Sequence, residues 1–217
     1  MGRVRITCWI LLLQSLSVFA EDENDVIIQA PDVTPFGRWG RMENCSQGLF
    51  VTAFQVKVEG KHSIVDDTGL NGVRFYCGTP TTLEDEAGQS YLTWENVTSS
   101  VGLFGHWGHV NNCTTYAVGF DLEVQEPQGK YKDDIGASNL KVLCADGAQI
   151  EGYFNNGEGH KFHNVSYTGV QRCPTGYALC GIKTKVEIYQ VLGDDTGLNN
   201  IAAKCCSLTD VIPIIAG

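Results

Sequence analysis

Apolar and polar residues alternate one by one over three separate stretches of this chain. Phe54, Val56 and Val58 are separated by Gln55 and Lys57; Phe120, Leu122 and Val124 by Asp121 and Glu123; Val186 and Ile188 flank Glu187. A period of two places alternate side chains on opposite faces of an extended chain, so each stretch predicts a strand with one buried face and one wet face. A second strand is predicted in each region, over Val73-Arg74-Phe75, Leu140-Lys141-Val142 and Ile201-Ala202-Ala203, each leading to a cysteine. No long helical period is present, and 25 glycines suit a turn-rich β protein.

The three regions are copies of one unit. Phe36-Gly37-Arg38-Trp39-Gly40 leads to Asn44-Cys45, and Phe104-Gly105-His106-Trp107-Gly108 leads to Asn112-Cys113, both reading F-G-x-W-G-x-x-x-N-C. In the third copy only Gly169 and Cys173 remain of that start. The later half of the unit persists in all three: Asp66-Asp67-Thr68-Gly69 before Cys77, Asp133-Asp134-Ile135-Gly136 before Cys144, and Asp194-Asp195-Thr196-Gly197 before Cys205. Such a register, repeated three times, fixes the architecture before any single motif does. Three β units, each with one apolar face, must bury those faces against one another. The expected fold is all-β: a three-sided β-prism of antiparallel sheets with pseudo-threefold symmetry. A β-trefoil is the rival arrangement, with shorter units of about 40 residues. The expected boundaries are repeat units at about 35–78, 103–145 and 168–206 within one domain, 35–207, followed by a tail, 208–217. The Asp-Asp-x-Gly segments read as strand-connecting turns, in which aspartate caps backbone N–H groups and glycine supplies positive φ.

Residues 1–20 read as a signal peptide: Arg3 and Arg5 precede the apolar run Ile6 to Leu13, and Val18-Phe19-Ala20 supplies a small-residue cleavage site. The run is too short to span a membrane. Cleavage removes Cys8 and leaves eight cysteines, an even number in an oxidising compartment. It also moves the formal charge from −10 to −12. The following segment, 21–34, opens Glu21-Asp22-Glu23 and reads as a disordered acidic leader. Applying one bridge to every unit pairs Cys45 with Cys77, Cys113 with Cys144 and Cys173 with Cys205, leaving Cys180 for Cys206. Because Cys205 and Cys206 are adjacent, the exchanged pairing, Cys173 with Cys206 and Cys180 with Cys205, stays open. The acidic balance and the lack of a basic stripe argue against nucleic acid and favour a basic protein or a cation.

The paired F-G-x-W-G starts, the three Asp-Asp-x-Gly turns, the eight cysteines and the signal peptide together resemble the vitelline membrane outer layer protein 1 family, over about Pro35 to Cys206. The resemblance implies three Greek-key sheets in the prism. It also implies a secreted, non-enzymatic component of an egg coat or mucosal fluid, associating with lysozyme or coat glycoproteins. The alternative it carries is a lectin-like or carbohydrate-active protein acting on N-acetylglucosamine oligomers, for which it supplies no catalytic residues.

The candidate chemistry is sparse, and neither a cofactor nor a resident metal is expected. Asp66, Asp67, Asp133, Asp134, Asp194 and Asp195 are the candidate binding carboxylates, with a turn role as the competing reading. Their threefold repetition suits a copied turn, whereas glycoside chemistry needs an asymmetric pair of carboxyl groups. Calcium would need six or more oxygens, and this motif lacks dense ligand spacing. His106 and His109, and His160 and His163, have H-x-x-H spacing, but Arg38 and Arg41 replace the first pair in unit one, as suits polar surface positions. Trp39 and Trp107 are expected as core or sheet-edge anchors, with sugar stacking as the alternative. Asn96 and Asn164 are N-glycosylation candidates, and Asn44 and Asn112 fit the same rule with a cysteine in the middle.

Overall fold

The alternating stretches form the first strands of three long antiparallel hairpins: Phe50–Val58 with Leu70–Gly78, Ala117–Gln125 with Ala137–Cys144, and Tyr177–Val186 with Leu198–Ser207. The computed structural model describes residues 26–60, 67–79, 83–84, 90–91, 95–129, 132, 134–152, 162–190 and 195–210. The signal peptide, Asp66, Asp133, Asp194, His160 and residues 211–217 lie outside them. Each hairpin is the centre of a five-stranded antiparallel sheet. The first gains Glu95–Thr98 beside its second strand, and His106–Trp107 and Asn111–Asn112 beside its first. The second gains Gln149–Glu151, Val165–Tyr167 and Gln171–Arg172 in the same places. In each the fourth segment returns to lie beside the first, which is a Greek key.

The third sheet takes its outer strands from the other end of the chain. Val26–Gln29 runs along Leu198–Ser207, with Val26 opposite Cys205 and Gln29 opposite Ala202. Arg38–Trp39 and Glu43–Asn44 line the other edge, on Tyr177–Val186. Two sequence expectations are corrected by this arrangement. The leader is ordered from Val26: Val26 and Ile28 pack on the core, Ala30 is buried, and the Ala30 N–H donates to the Ile201 carbonyl at 3.1 Å. Three acidic residues at its start obscured a short alternating strand. The structural unit is also not the sequence unit, because the F-G-x-W-G segment at 104–108 completes the sheet of the first hairpin and that at 36–40 the sheet of the third, neither its own.

Inside the prism, Phe54, Val56 and Phe75 meet Phe120, Leu122 and Leu140, and Ile182, Ile201 and Ala203, in one core. Each large apolar side chain so buried contributes about 1.5–3 kcal/mol relative to exposure. The hairpins carry bulges at matching places, between Val51 and Ala53, Ala117 and Gly119, and Leu179 and Gly181, and again near the loop end of each first strand. A bulge bends and twists its strand, so equal bulges curl the three sheets equally. The third alternation is also corrected: the inward residues of the third hairpin are Ile182, Thr184 and Val186, while Ile188 lies beyond the strand and is exposed.

The hairpin loops meet at one end of the prism through their glycines. A Cβ on Gly69 would lie 2.7 Å from the Ala137 carbonyl oxygen, one on Gly136 2.8 Å from that of Leu198, and one on Gly197 2.5 Å from that of Leu70. Unit one thus presses on unit two, two on three, and three on one. Gly69 and Gly136 also have φ of +58° and +67°, which disfavours any side chain there.

Candidate functional site

Three aromatic side chains occupy equivalent places on the outside of the prism. Trp107 pairs with Lys57 on the first sheet, Trp39 with Lys185 on the third, and Tyr167 with Glu123 on the second. Tyr167 was missed in the sequence because tryptophan is replaced, yet it stands six residues before Cys173, as Trp39 stands before Cys45 and Trp107 before Cys113. Each ring is covered by a cation: Arg74 lies 4.2 Å from the Trp107 centroid, Lys183 5.5 Å from Trp39 and Lys141 3.7 Å from Tyr167. All three rings are half-buried. The tryptophans are therefore sheet-edge anchors stacked under cations.

The first and third faces share a clamp that the second lacks. Lys57 Nζ donates to the Gly102 and Leu103 carbonyls at 2.8 and 3.0 Å. Lys185 Nζ donates to the Thr34 carbonyl at 3.3 Å and lies 3.5 Å from an Asp32 carboxylate oxygen. Each lysine thereby ties down the incoming F-G-x-W-G segment, and burial holds the Lys57 ammonium below its usual value. The second sheet has Glu123 at this position, where its Oε2 accepts the Ser138 hydroxyl at 2.6 Å.

The second face gathers carboxylates, each with a structural partner. Asp121 Oδ1 accepts the Gly169 N–H at 2.9 Å, and Glu151 lies 3.5 Å from Lys141 Nζ. Burial first, then the charges of Glu151 and Glu123, pushes the Tyr167 hydroxyl far above the usual tyrosine range. These groups hold one another and the edge strands in place.

At the loop end the second aspartate of each pair is buried: Asp67, Asp134 and Asp195 are 2%, 7% and 3% exposed. Asp134 Oδ1 accepts the Gln128 N–H at 2.7 Å and Asp195 Oδ1 accepts the Gln190 N–H at 2.9 Å. Burial raises the Asp195 carboxyl, partly offset by that N–H donor, and Glu187 raises it further. The same loops are tied by acceptors one turn away. Glu59 Oε2 takes the Thr68 hydroxyl at 2.5 Å, Glu187 Oε2 takes that of Thr196 at 2.5 Å, and Gln125 Oε1 takes the Ile135 N–H at 3.2 Å. Asp134 and Asp195 therefore cap loop N–H groups, and all three aspartates are withdrawn from solvent.

Between the second and third loops lies a cleft of ≈ 280 Å³ lined by Phe36, Pro127, Lys132, Glu187, Gln190 and Thr196, among others. Beside it, Phe104 meets Tyr189 edge-on with centroids 5.4 Å apart. Leu103, Ile188 and Tyr189 are 69%, 68% and 50% exposed.

Elsewhere, His106, His109 and His163 are exposed, as are Arg38 and Arg41. Asn96 and Asn164 are exposed, and so are Asn44 and Asn112. Four disulfides join Cys45 to Cys77, Cys113 to Cys144, Cys173 to Cys205 and Cys180 to Cys206. Of the two pairings open for the third unit, this is the unexchanged one. Cys45, Cys77 and Glu95 lie close together, but both sulfurs are in a disulfide, and Glu95 accepts from the Ser46 N–H and, at 2.7 Å, from its hydroxyl. Four bridges belong to the chemistry of an extracellular, oxidising environment.

The mouse vitelline membrane outer layer protein 1 homolog is 36% identical over 183 residues, spanning 81% of this chain and 82% of the relative. The human homolog is 32% identical over 183 residues, spanning 83% and 82%. Among solved structures, the agglutinin of Calystegia sepium matches with a TM-score of 0.47 at 11% identity, covering 84% of this chain and 97% of that one. The second β-prism domain of RbmC from V. cholerae matches with a TM-score of 0.43 at 8% identity, covering 81% and 98%. The family model for vitelline membrane outer layer protein I matches residues 26–208, from the strand that closes the third sheet to the residue after its last strand, and the chain belongs to that family.

Proposed function

We propose that this protein is a secreted, non-catalytic structural component of an extracellular coat, of the egg-coat or mucosal-fluid kind. The observation that carries the reading is the closed ring: three sheets, the third completed by strands from the other end of the chain, wedged together at their glycines, with a disulfide in each unit. By the chain-entropy estimate, a bridge closing about 30 residues stabilises by roughly 3–4 kcal/mol, as suits a protein exposed to an unregulated exterior. The carboxylates of the second face and the loop end are engaged in turns and edge contacts, which supports scaffolding over glycoside chemistry. The test is to fractionate the native secretion and incubate the recombinant chain with chitooligosaccharides. Recovery with the insoluble matrix and unchanged oligosaccharide lengths are expected; new chain lengths that vanish in one carboxylate variant would overturn the reading.

The ≈ 280 Å³ cleft favours a second reading, an oligosaccharide held without turnover. It offers one ring, Phe36, beside an ammonium, two carboxylates, an amide and a hydroxyl, the mixture of apolar and polar lining that ligand clefts use. Loss of glycan binding in Phe36→Ala and Gln190→Ala is the expected outcome, and unchanged binding would remove the cleft from the account. A basic partner such as lysozyme is favoured by net charge, and its association should weaken steadily with salt.

A further inference from the structure

We infer that the apolar segment Val211-Ile212-Pro213-Ile214-Ile215 of one copy docks on the patch of Leu103, Ile188 and Tyr189 of a second copy, joining molecules head to tail. This rests on the coat reading and supplies its mode of assembly. The patch is well placed for such a role. Leu103 and Ile188 are each more than two-thirds exposed, and Tyr189 half, next to Phe104, whose ring braces Tyr189. Large apolar side chains gathered at one place on an outer surface mark interaction sites more than scattered ones do.

The patch and the point from which the segment departs, after Asp210, lie at opposite ends of the prism. Val186 pairs with Leu198 at the loop end, and Ile188 and Tyr189 follow Val186 there. Ser207 pairs with Tyr177 at the far end, and the short 3-10 helix Leu208–Asp210 follows it, with the Leu208 N–H held by the Gly176 carbonyl. The strand from Leu198 to Ser207 covers about 30 Å. Residues 211–217, stretched fully, reach ~25 Å. The segment therefore falls short of the patch on its own molecule, and a second copy stacked end to end brings the two together. Pro213 lacks an N–H, so the contact is apolar docking and not an added strand. An interface between two different surfaces that does not close on itself propagates, which is what a coat component requires.

The experiment is sedimentation velocity on the secreted chain over a wide concentration range, with two variants: Ile188→Asp, and a chain ending at Asp210. Ile188 is outside the core, so matching melting curves will certify that the variant is folded. For the secreted chain the weight-average mass is expected to grow by a factor of roughly two or more with concentration, without a plateau at the dimer. Each variant alone should remain monomeric. Mixed together they should stop at dimers, because one good segment then meets one good patch. A peptide of Val211 to Gly217 should dissolve the oligomers and bind Ile188→Asp at least tenfold more weakly. A secreted chain that stays monomeric throughout, or variants that associate like it, would overturn the inference. So would an oligosaccharide that covers the patch while truncation at Asp210 changes nothing. Matrix fractionation of the same variants separates the two readings: if they still partition with the coat, head-to-tail assembly has failed and the coat reading has not.

Discussion

The first and third faces of the prism and its second face are built on the same backbone, with the same bulges and the same aromatic place, yet they are fastened differently. On the first and third, a tryptophan lies under a cation and a lysine grips the carbonyls of the incoming segment. On the second, tyrosine replaces tryptophan, glutamate replaces lysine, and the fastening passes to Asp121, Glu151 and Lys141. The substitutions travel together because they serve one contact. In the third copy, where F-G-x-W-G is lost, the His163 carbonyl of the incoming segment is held instead by Gln125 Nε2 at 2.9 Å. Symmetry survives where three units share a core and relaxes where each meets only its own edge strand.

Removing the rings should give the largest difference between the faces. Trp107→Ala strips an indole packed on Arg74 and near Gly72, and should cost about 2–3 kcal/mol, or ~5–10 °C in Tm. Trp39→Ala should behave alike, and Tyr167→Ala should cost about half as much. Equal losses in thermal melts of all three would erase the distinction. The clamps come next. Lys57→Ala and Lys185→Ala each leave carbonyls of the incoming segment without their donor, at about 1–2 kcal/mol, whereas Glu123→Ala loses one exchangeable contact and should stay below ~1 kcal/mol in denaturant titrations.

Two titrations sharpen the comparison further. The Tyr167 hydroxyl, pushed up by burial and by Glu151, should be missing from the tyrosines that ionise near the ordinary value of about 10 in an ultraviolet titration. Glu151→Gln should lower it, and a Tyr167 already titrating with the others would remove the carboxylate network from the second face. The smallest effect is at Asp195. Its folded pKa is raised, so its ionisation opposes folding; that penalty is absent below the ordinary carboxylate value and grows as pH rises through the folded value. Stability should therefore decline slightly with rising pH in that window, and Asp195→Asn should flatten the decline. A decline of equal size in the variant would assign it to other groups.

Much of this was legible in the chain itself. Alternation located the long hairpins, because a strand buried on one face must alternate, and repeated cysteine spacing carried the first two bridges while leaving two pairings open in the third unit. The edges were less legible. Which sheet receives Trp39 or Trp107 depends on contacts more than a hundred residues apart for Trp39, and no local pattern encodes that. Val26 and Ile28 alternate over only four residues behind an acidic start, too short to separate a strand from a tail. Ile188 alternates with Val186 but falls past the bulge that ends the strand, so it points into solvent. Tyr167 is legible from its six-residue distance to Cys173 once one aromatic stands for another. The loop-end cleft is not, since its walls come from the second and third loops and from Phe36.

The closed ring is tested most directly by thermal unfolding of two chains, one beginning at Val26 and one at Pro35. The shorter chain loses the edge strand, buried Ala30, the Thr34 hydroxyl bond to Asn199 Oδ1 at 2.6 Å and the Asp32 contact with Lys185. Together these should amount to about 4 kcal/mol, or ~10 °C in Tm, relative to the chain from Val26, which should melt with one beginning at Glu21. Equal melting temperatures for the two chains would contradict closure of the third sheet by the N-terminal strand.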